Sequence, residues 1–342
     1  MDLTEKARIG NTEVEVTRLG LGTGMLGAVH DDQVWQATFD AAWEAGVRLY
    51  DTSPFYGFGN SEIRIGRLLS RYDSSEYVLG TKVGRLLRLD AEVEYFAATT
   101  YYPELEGEMP DGIPRGRYDY TRNGTLQSLV ETKWRLGHDR LDIVYVHDIL
   151  ELSSGIDHTR TAIEEAYPAL VEQKAAGNIR AIGIGVQDLD VLTEIVSVCD
   201  LDVVLLAGRY TLLDQSSLDR ALPLCHERGV SIIVGSPFNT GLLHDPTPDK
   251  TFDFVKAPPE MVERARALKA ICERHEVPLP AAAIQFPLGH PAVAAVLTGA
   301  TAPGEVKENV ELFSVEIPGA LWADLRQSGL LHPDAPLPGG PR

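Results

Sequence analysis

The 342-residue sequence predicts an α/β fold: a closed (β/α)8 TIM barrel in a single domain over residues 1–342, with an N-terminal hairpin and long loops after strands 3 and 7. Three observations predict it. Eight short apolar runs recur along the chain, each followed by a stretch with apolar residues at three-and-four spacing. Strand and helix in strict alternation call for parallel strands joined by crossover helices. No Ser/Gly linker, composition shift or low-complexity tract divides the chain.

The elements follow in order. Residues 9–14 centre on Gly10-Asn11, a hairpin signal placed to plug a barrel floor. Strands are expected at 19–22, 48–51, 77–82, 141–147, 179–185, 203–206, 230–235 and 294–298. Helices are expected at 32–45, 62–69, 122–136, 161–176, 189–198, 216–228, 261–276 and 303–313, several of them stopping at a glycine. Two connections, 84–119 and 238–259, are long enough to suggest that they serve a site.

Composition narrows the function. The 50 acidic residues outnumber the 31 basic ones, and a formal charge of -19 repels phosphate backbones and anionic lipid alike. Nucleic-acid and membrane-surface roles are therefore not expected. Cys199, Cys225 and Cys272 are widely spaced and read as reduced packing residues. The first residues are charged, without an apolar signal region, and no run of about 18 apolar residues occurs, so the cytoplasm is the expected compartment. Oligomeric state leaves no trace in the sequence.

Residues 22–27 read GTGMLG, the glycine pattern of a dinucleotide-binding finger. Such a finger needs a helix starting on its third glycine. Here the next helix begins only near Asp31-Asp32, and carboxylates there repel a pyrophosphate. The stretch is expected to be a turn over the first strand, with small residues that let a ligand approach the backbone.

The chemistry gathers where three consecutive strands stop, at Asp51, Lys82 and His147. Parallel strands about 4.8 Å apart bring these side chains together at the C-terminal rim, where barrel enzymes build their sites. Tyr56, five residues past Asp51, can fold back over the same rim. The group makes sense as a tuned phenol: a neighbouring ammonium stabilises the phenolate, and lowering a pKa near 10 by about three units takes roughly 4 kcal/mol. Asp51 would orient Lys82, and His147 would hold a substrate oxygen. A plain rim salt bridge between Asp51 and Lys82, and a strand-end pair of His147 with Asp148, are the simpler alternatives. No H-x-H accompanies them, so no metal is expected.

The segments DTSPFYGFGNSEIRIGRLL, TKVG, SLVETKWRLGHDRLDIVYVHD, NIRAIGIGV and TGATAPGEVKENV together resemble the aldo-keto reductase superfamily over almost the whole chain. The spaced D-x-x-x-x-Y-G-x-x-x-S-E pattern is its most specific signal. By that resemblance Asp51, Tyr56, Lys82 and His147 match the family's catalytic tetrad. The family lays an extended NAD(P)H across the barrel mouth. Its cofactor contacts map onto Gly22, Thr23, Asp51, Ser236, Pro237, Phe238, Gly241 and the segment from Gly299 to Asn309, including Thr301, Glu305 and Glu308.

Departures from the family pattern carry the finer expectations. NADPH-preferring relatives offer a lysine, a hydroxyl and an arginine to the 2′-phosphate, where this chain has Gly299, Ala300 and Glu305. A carboxylate suits a ribose hydroxyl and opposes a phosphate, so NAD is expected over NADP. Glu305 also suits a helix start as a mere capping acid. The family's Ser-Asn pair for the nicotinamide amide is replaced near Gly185, Val186 and Gln187, and its stacking tyrosine by Gly235. Gln187 and Phe238 are expected to take over.

These replacements, with GRYTLLDQ and GSPFNTGLL, resemble the branch of L-fucose and D-threo-aldose 1-dehydrogenases and pyridoxal 4-dehydrogenase. The resemblance implies oxidation of a cyclic hemiacetal, a sugar or a pyridoxal-like molecule, to its lactone. Phe55, Arg85 and Asp148 are the candidate substrate contacts. Tyr95, Phe96, Tyr101, Tyr102, Tyr118 and Tyr120 in or near the insert either stack on that substrate or pack the insert on the barrel. An NADPH-dependent carbonyl reductase and a catalytically silent cofactor sensor remain as alternatives.

Overall fold

The computed structural model describes residues 1–89, 115–150, 156–253 and 255–339. Strand β1 (Lys6–Arg8) pairs antiparallel with β2 (Glu15–Thr17), and the turn between them buries Ile9 and Val14 completely. The barrel starts with β3 (Leu19–Gly22), β4 (Leu49–Asp51) and β5 (Val78–Val83). The chain then leaves the barrel along β6 (Arg85–Arg88) and comes back antiparallel to it along β7 (Arg115–Tyr118). Barrel strands β8 (Leu141–His147), β9 (Ile179–Val186), β10 (Val203–Ala207) and β11 (Ser231–Gly235) follow. A short hairpin of β12 (Thr251–Phe252) and β13 (Val255–Lys256) precedes the last barrel strand, β14 (Val293–Gly299).

The eight barrel strands close in the order β3, β4, β5, β8, β9, β10, β11, β14, all neighbours parallel. Both faces of each strand are covered, which is why a stretch such as LDIVYVH is apolar almost throughout and buried at every position. Inside the barrel, Leu49, Val78, Ile143, Val203 and Ile233 form one cluster with Ile9, Val14 and Val16. The hairpin therefore plugs the barrel as expected. A larger cluster fills the shell between strands and helices.

The eight strand positions agree with expectation to within a residue or two at either end. Some helices differ for local reasons. The stretch expected as one helix at 161–176 is Thr159–Thr161, a broader π-helical turn Ala162–Ala166, and Tyr167–Ala175. Pro168 has no N–H to continue the ladder, so the bonds ahead of it shift by a residue. Helix Leu279–Gln285 was not anticipated, because it is buried nearly all round and shows no amphipathic stripe. Helix Gly319–Gln327 also lies beyond the expected elements; it buries Leu321, Trp322 and Leu325.

The three cysteines are buried and unpaired, and burial pushes their thiols up to about 11 for Cys199 and about 12 for Cys225 and Cys272. They act as packing residues. Among the described residues no helix is long and apolar enough to cross a membrane.

Candidate active site

Register places the titratable strand ends side by side. Gly22 of β3 lies opposite Asp51 of β4, Asp51 opposite Gly80 of β5, Lys82 opposite Tyr145 of β8, and His147 opposite Gly185 of β9. The glycines leave the space above them to the longer neighbours.

Tyr56 enters from the connection after β4, and the spaced motif explains how. Gly57 has φ +57, and a Cβ there would lie 2.6 Å from the Gly27 carbonyl oxygen, so only glycine lets the two loops close. Ser61 donates to the Thr23 hydroxyl at 2.7 Å, and Thr23 donates on to the Asp51 carbonyl at 2.9 Å. Glu62 is fully buried and accepts from Thr81 (2.7 Å), Thr132 (3.0 Å) and Arg135 (2.6 Å). Asp51 and Tyr56 thus face the rim, while Gly57, Ser61 and Glu62 lock the segment that carries them.

The GTGMLG stretch lies beneath this segment. A Cβ on Gly24 would rest 3.6 Å from the Tyr56 ring. The following helix starts at Asp32, and its first N–H groups are capped by the Asp31 side chain, with 2.7 Å to Gln33. The glycine stretch is a rim turn that winds into a short 3-10 helix over Met25–Ala28, and the long helix after it is not the start that a dinucleotide finger requires. Thr23, also expected near the cofactor, is wholly buried, and its hydroxyl bonds inward to the Asp51 carbonyl and to Ser61.

Lys82 and Asp51 form a buried ion pair, their side chains 1% and 5% exposed, and Lys82 Nζ also donates to the Thr52 carbonyl at 2.8 Å. Nζ lies over the Tyr56 ring, 4.5 Å from its centroid, and 5.9 Å from that of Tyr145. The His147 ring stands edge-on to Tyr56 at 6.1 Å between centroids. The four singled-out residues are therefore one constellation.

Its electrostatics correct the tuned-phenol expectation. Burial pushes the Tyr56 hydroxyl well above its usual range; the Asp51 and Asp148 carboxylates push it further, and Arg85 opposes them. The ammonium of Lys82 does not lower it because that charge is already matched by Asp51 in contact with it. Burial, then the charges of Lys82 and Arg85, hold His147 well below the ordinary histidine range, so it is neutral.

On the substrate side, Arg85 NH2 donates to Asp148 and to the Tyr118 hydroxyl, both at 2.8 Å. Its guanidinium stacks on Phe55 at 4.1 Å and on Tyr118 at 4.7 Å. Tyr118 stacks on His158, and buried Tyr120 packs on both, so these two rings hold the insert's described ends to the barrel. Tyr95, Phe96, Tyr101 and Tyr102 lie outside the described residues.

On the opposite side of the mouth, Gly22 pairs with Gly299 of β14. A Cβ on Gly299 or Gly241 would meet nothing within 4 Å, so bare backbone borders open space there. Between them runs the connection after β11, with Ser236, Asn239 and Thr240 all at positive φ. Buried Asn239 donates to the Gly208 carbonyl at 3.2 Å, and its Oδ1 has no partner among the described residues. Glycine backbone facing open space and a buried amide oxygen without a partner suit the close approach of a dinucleotide.

The remaining expected contacts lie as follows. Phe238 packs on the core beside His244, and Gln187 follows the end of β9, half-buried. Glu305 accepts the Thr301 N–H at 2.7 Å at the start of helix Pro303–Ser314, Glu308 meets His244 at 3.1 Å, and Asn309 donates to the Gly299 carbonyl at 3.3 Å. Sequence reasoning missed Asn239, Tyr145 and Ser53, whose Oγ lies 3.5 Å from His147 Nδ1. Asn239 and Ser53 stood inside the quoted segments GSPFNTGLL and DTSPFYG, but nothing in the pattern marked their buried polar atoms.

Residues 18–329 match the model of the aldo/keto reductase family. The chain is 40% identical over 322 residues to a D-threo-aldose 1-dehydrogenase from a Pseudomonas species, covering 92% of this chain and 95% of that one. It is 36% identical over 340 residues to a pyridoxal 4-dehydrogenase from Microbacterium luteolum, covering 96% and 98%. Among solved structures, the holo form of an aldo-keto reductase from Bacillus halodurans superposes with a TM-score of 0.73 at 23% identity, covering 96% of this chain and 97% of that one.

Proposed function

Because the chain belongs to the aldo/keto reductase family, and is thus an oxidoreductase acting between CH–OH and carbonyl, we propose that it oxidises a cyclic hemiacetal to its lactone with NAD. The observation that carries the reading is the gathering of buried Asp51, Lys82 and His147 around half-buried Tyr56 at the C-terminal rim of the barrel. A bound nicotinamide dinucleotide supplies the acceptor for the hydride that leaves the substrate carbon.

The chain's own residues manage the oxygen and its proton. Tyr56 in its phenolate form receives the hydroxyl proton at Oη as the carbonyl forms, His147 donates a hydrogen bond to that oxygen, and Lys82 holds the ring from its face. Asp51 keeps Lys82 in place. Phe55 offers an apolar surface and the Arg85–Asp148 pair a polar one to the rest of the substrate. Gly22, Ser236, Pro237, Phe238, Gly241 and Gly299 border the cofactor, with Gln187 beside its ring end. The names of the two relatives support an aldose or a pyridoxal-like hemiacetal.

NAD is the preferred partner because the three positions that serve a 2′-phosphate in NADPH-preferring relatives are here Gly299 at the end of β14, Ala300, and Glu305 on the first turn of helix Pro303–Ser314, none of them a cation. The raised Tyr56 pKa favours a second reading, carbonyl reduction, since a protonated phenol is the acid that reduction needs.

Both are tested by following NADH or NADPH absorbance with L-fucose, other aldoses and pyridoxal in the forward direction and simple aldehydes in reverse. NADH formation from an aldose or pyridoxal, abolished by Tyr56→Phe with nucleotide binding intact, is the expected result. Tight nucleotide binding without turnover of any of these compounds would refute it.

A further inference from the structure

Asp148 has a backbone that an L-residue adopts only under constraint, φ +43, directly after the residue that ends β8. Such strain persists where surrounding contacts over-determine it. Three contacts do so here. The Asp148 N–H continues the parallel ladder to the Gly185 carbonyl at 3.0 Å. The Tyr120 hydroxyl lies 2.7 Å from the Asp148 carbonyl and 2.6 Å from that of His147, sharing its proton between them. Arg85 NH2 donates to Asp148 Oδ2 at 2.8 Å.

The result is that Asp148 Oδ2 lies 3.2 Å from Nε2 of His147, the residue before it. His147 is neutral, so only one of its ring nitrogens carries a proton. A carboxylate oxygen this close repels a lone pair on Nε2 and attracts an N–H there. On the other edge, Ser53 Oγ lies 3.5 Å from Nδ1 and already accepts the Phe55 N–H at 3.2 Å. The serine proton is free to be given to Nδ1. The carboxylate edge thus selects the Nε2–H tautomer, and the serine edge accommodates it. The other charged groups near His147, Lys82 and Arg85, are cations that disfavour its protonation without choosing between the nitrogens.

We infer that Asp148, held by Arg85 and by its left-handed backbone, is a positioning residue that keeps His147 as the Nε2–H tautomer, so that a donor meets the substrate oxygen. The inference rests on the proposed oxidoreductase reading for its purpose but not for its geometry. A histidine carrying its proton on Nδ1 would present a lone pair to the reacting oxygen, which repels it.

The test is the protonation pattern of His147 in protein labelled with nitrogen-15 at histidine, read from long-range proton–nitrogen spectra, with His147→Gln giving the assignment. Wild type and Asp148→Asn, which keeps an oxygen acceptor, are expected to show Nε2–H. Asp148→Gly removes the acceptor while suiting the positive φ, its fold is checked by thermal unfolding because Arg85 loses its carboxylate partner, and it is expected to show a mixture or Nδ1–H. Its kcat/KM falls by roughly 10- to 100-fold, and Asp148→Asn recovers most of it.

An unchanged Nε2–H tautomer in Asp148→Gly, or Nδ1–H in wild type, overturns the inference. Because the spectra need no substrate, a wild type that turns over no aldose or pyridoxal yet shows this tautomer pattern would sink the proposed function and leave the inference standing.

Discussion

Lys82 Nζ lies 4.5 Å from the centre of the Tyr56 ring, over its face. The ammonium holds the ring in place while Asp51 matches its charge, and burial leaves the phenol protonated far above neutral pH. The sign of the pH dependence follows. Oxidation needs the proton-accepting form, whose fraction grows tenfold per pH unit until the raised pKa is reached. The pH profile of kcat/KM for oxidation is therefore expected to climb through the alkaline range, while reduction, served by the phenol, stays flat there. An oxidation profile already level from neutral pH upward would contradict the burial argument.

The ion pair itself is expected to be costly to break from one side. Burial already raises the Asp51 carboxyl, and only Lys82 opposes that shift. Lys82→Met strands a buried carboxylate and should cost about 3–5 kcal/mol, whereas Lys82→Met with Asp51→Asn should recover much of it. Denaturant unfolding of the three proteins checks this. Both variants are expected to be inactive, which separates the pair's part in stability from its part in holding Tyr56.

Gly57 offers a steric test. Gly57→Ala puts a methyl 2.6 Å from the Gly27 oxygen at a backbone of φ +57. A loss of about 1–3 kcal/mol is expected, with a drop in kcat larger than any change in nucleotide binding, because Tyr56 is the adjacent residue. Equal stability by thermal unfolding would show that the two loops have room to part.

Glu305 is the handle on cofactor choice. It lies on the first turn of helix Pro303–Ser314 and bonds back to Thr301. Glu305→Lys replaces a repelling charge with an attracting one, so the NADP Kd should fall by about tenfold or more, with NAD binding much less affected. Titration calorimetry with both nucleotides reads the ratio directly. An unchanged ratio would mean that Glu305 is a helix cap alone.

Much of the site was legible because strand ends are legible. Asp51, Lys82 and His147 each interrupt an apolar run, and parallel strands place such interruptions at one rim. Tyr56 was marked by its fixed distance from Asp51. Gly57, Ser61 and Glu62 entered only through the family resemblance, and their tasks, a loop closure and two buried polar networks, appear only when Gly27, Thr23 and Arg135 are brought to them.

By itself, then, the sequence determined the alternation that closes a barrel, the hairpin that plugs it and the identity of the residues at its mouth, because periodicity and the chemistry of strand ends are local properties. Tertiary structure alone decided the protonation of Tyr56, the inward commitment of Thr23, the unpartnered oxygen of Asn239 and the approach of Asp148 to His147. Those depend on how much water is excluded and on which distant groups face one another. Burial and cross-chain distance are not encoded at any single position.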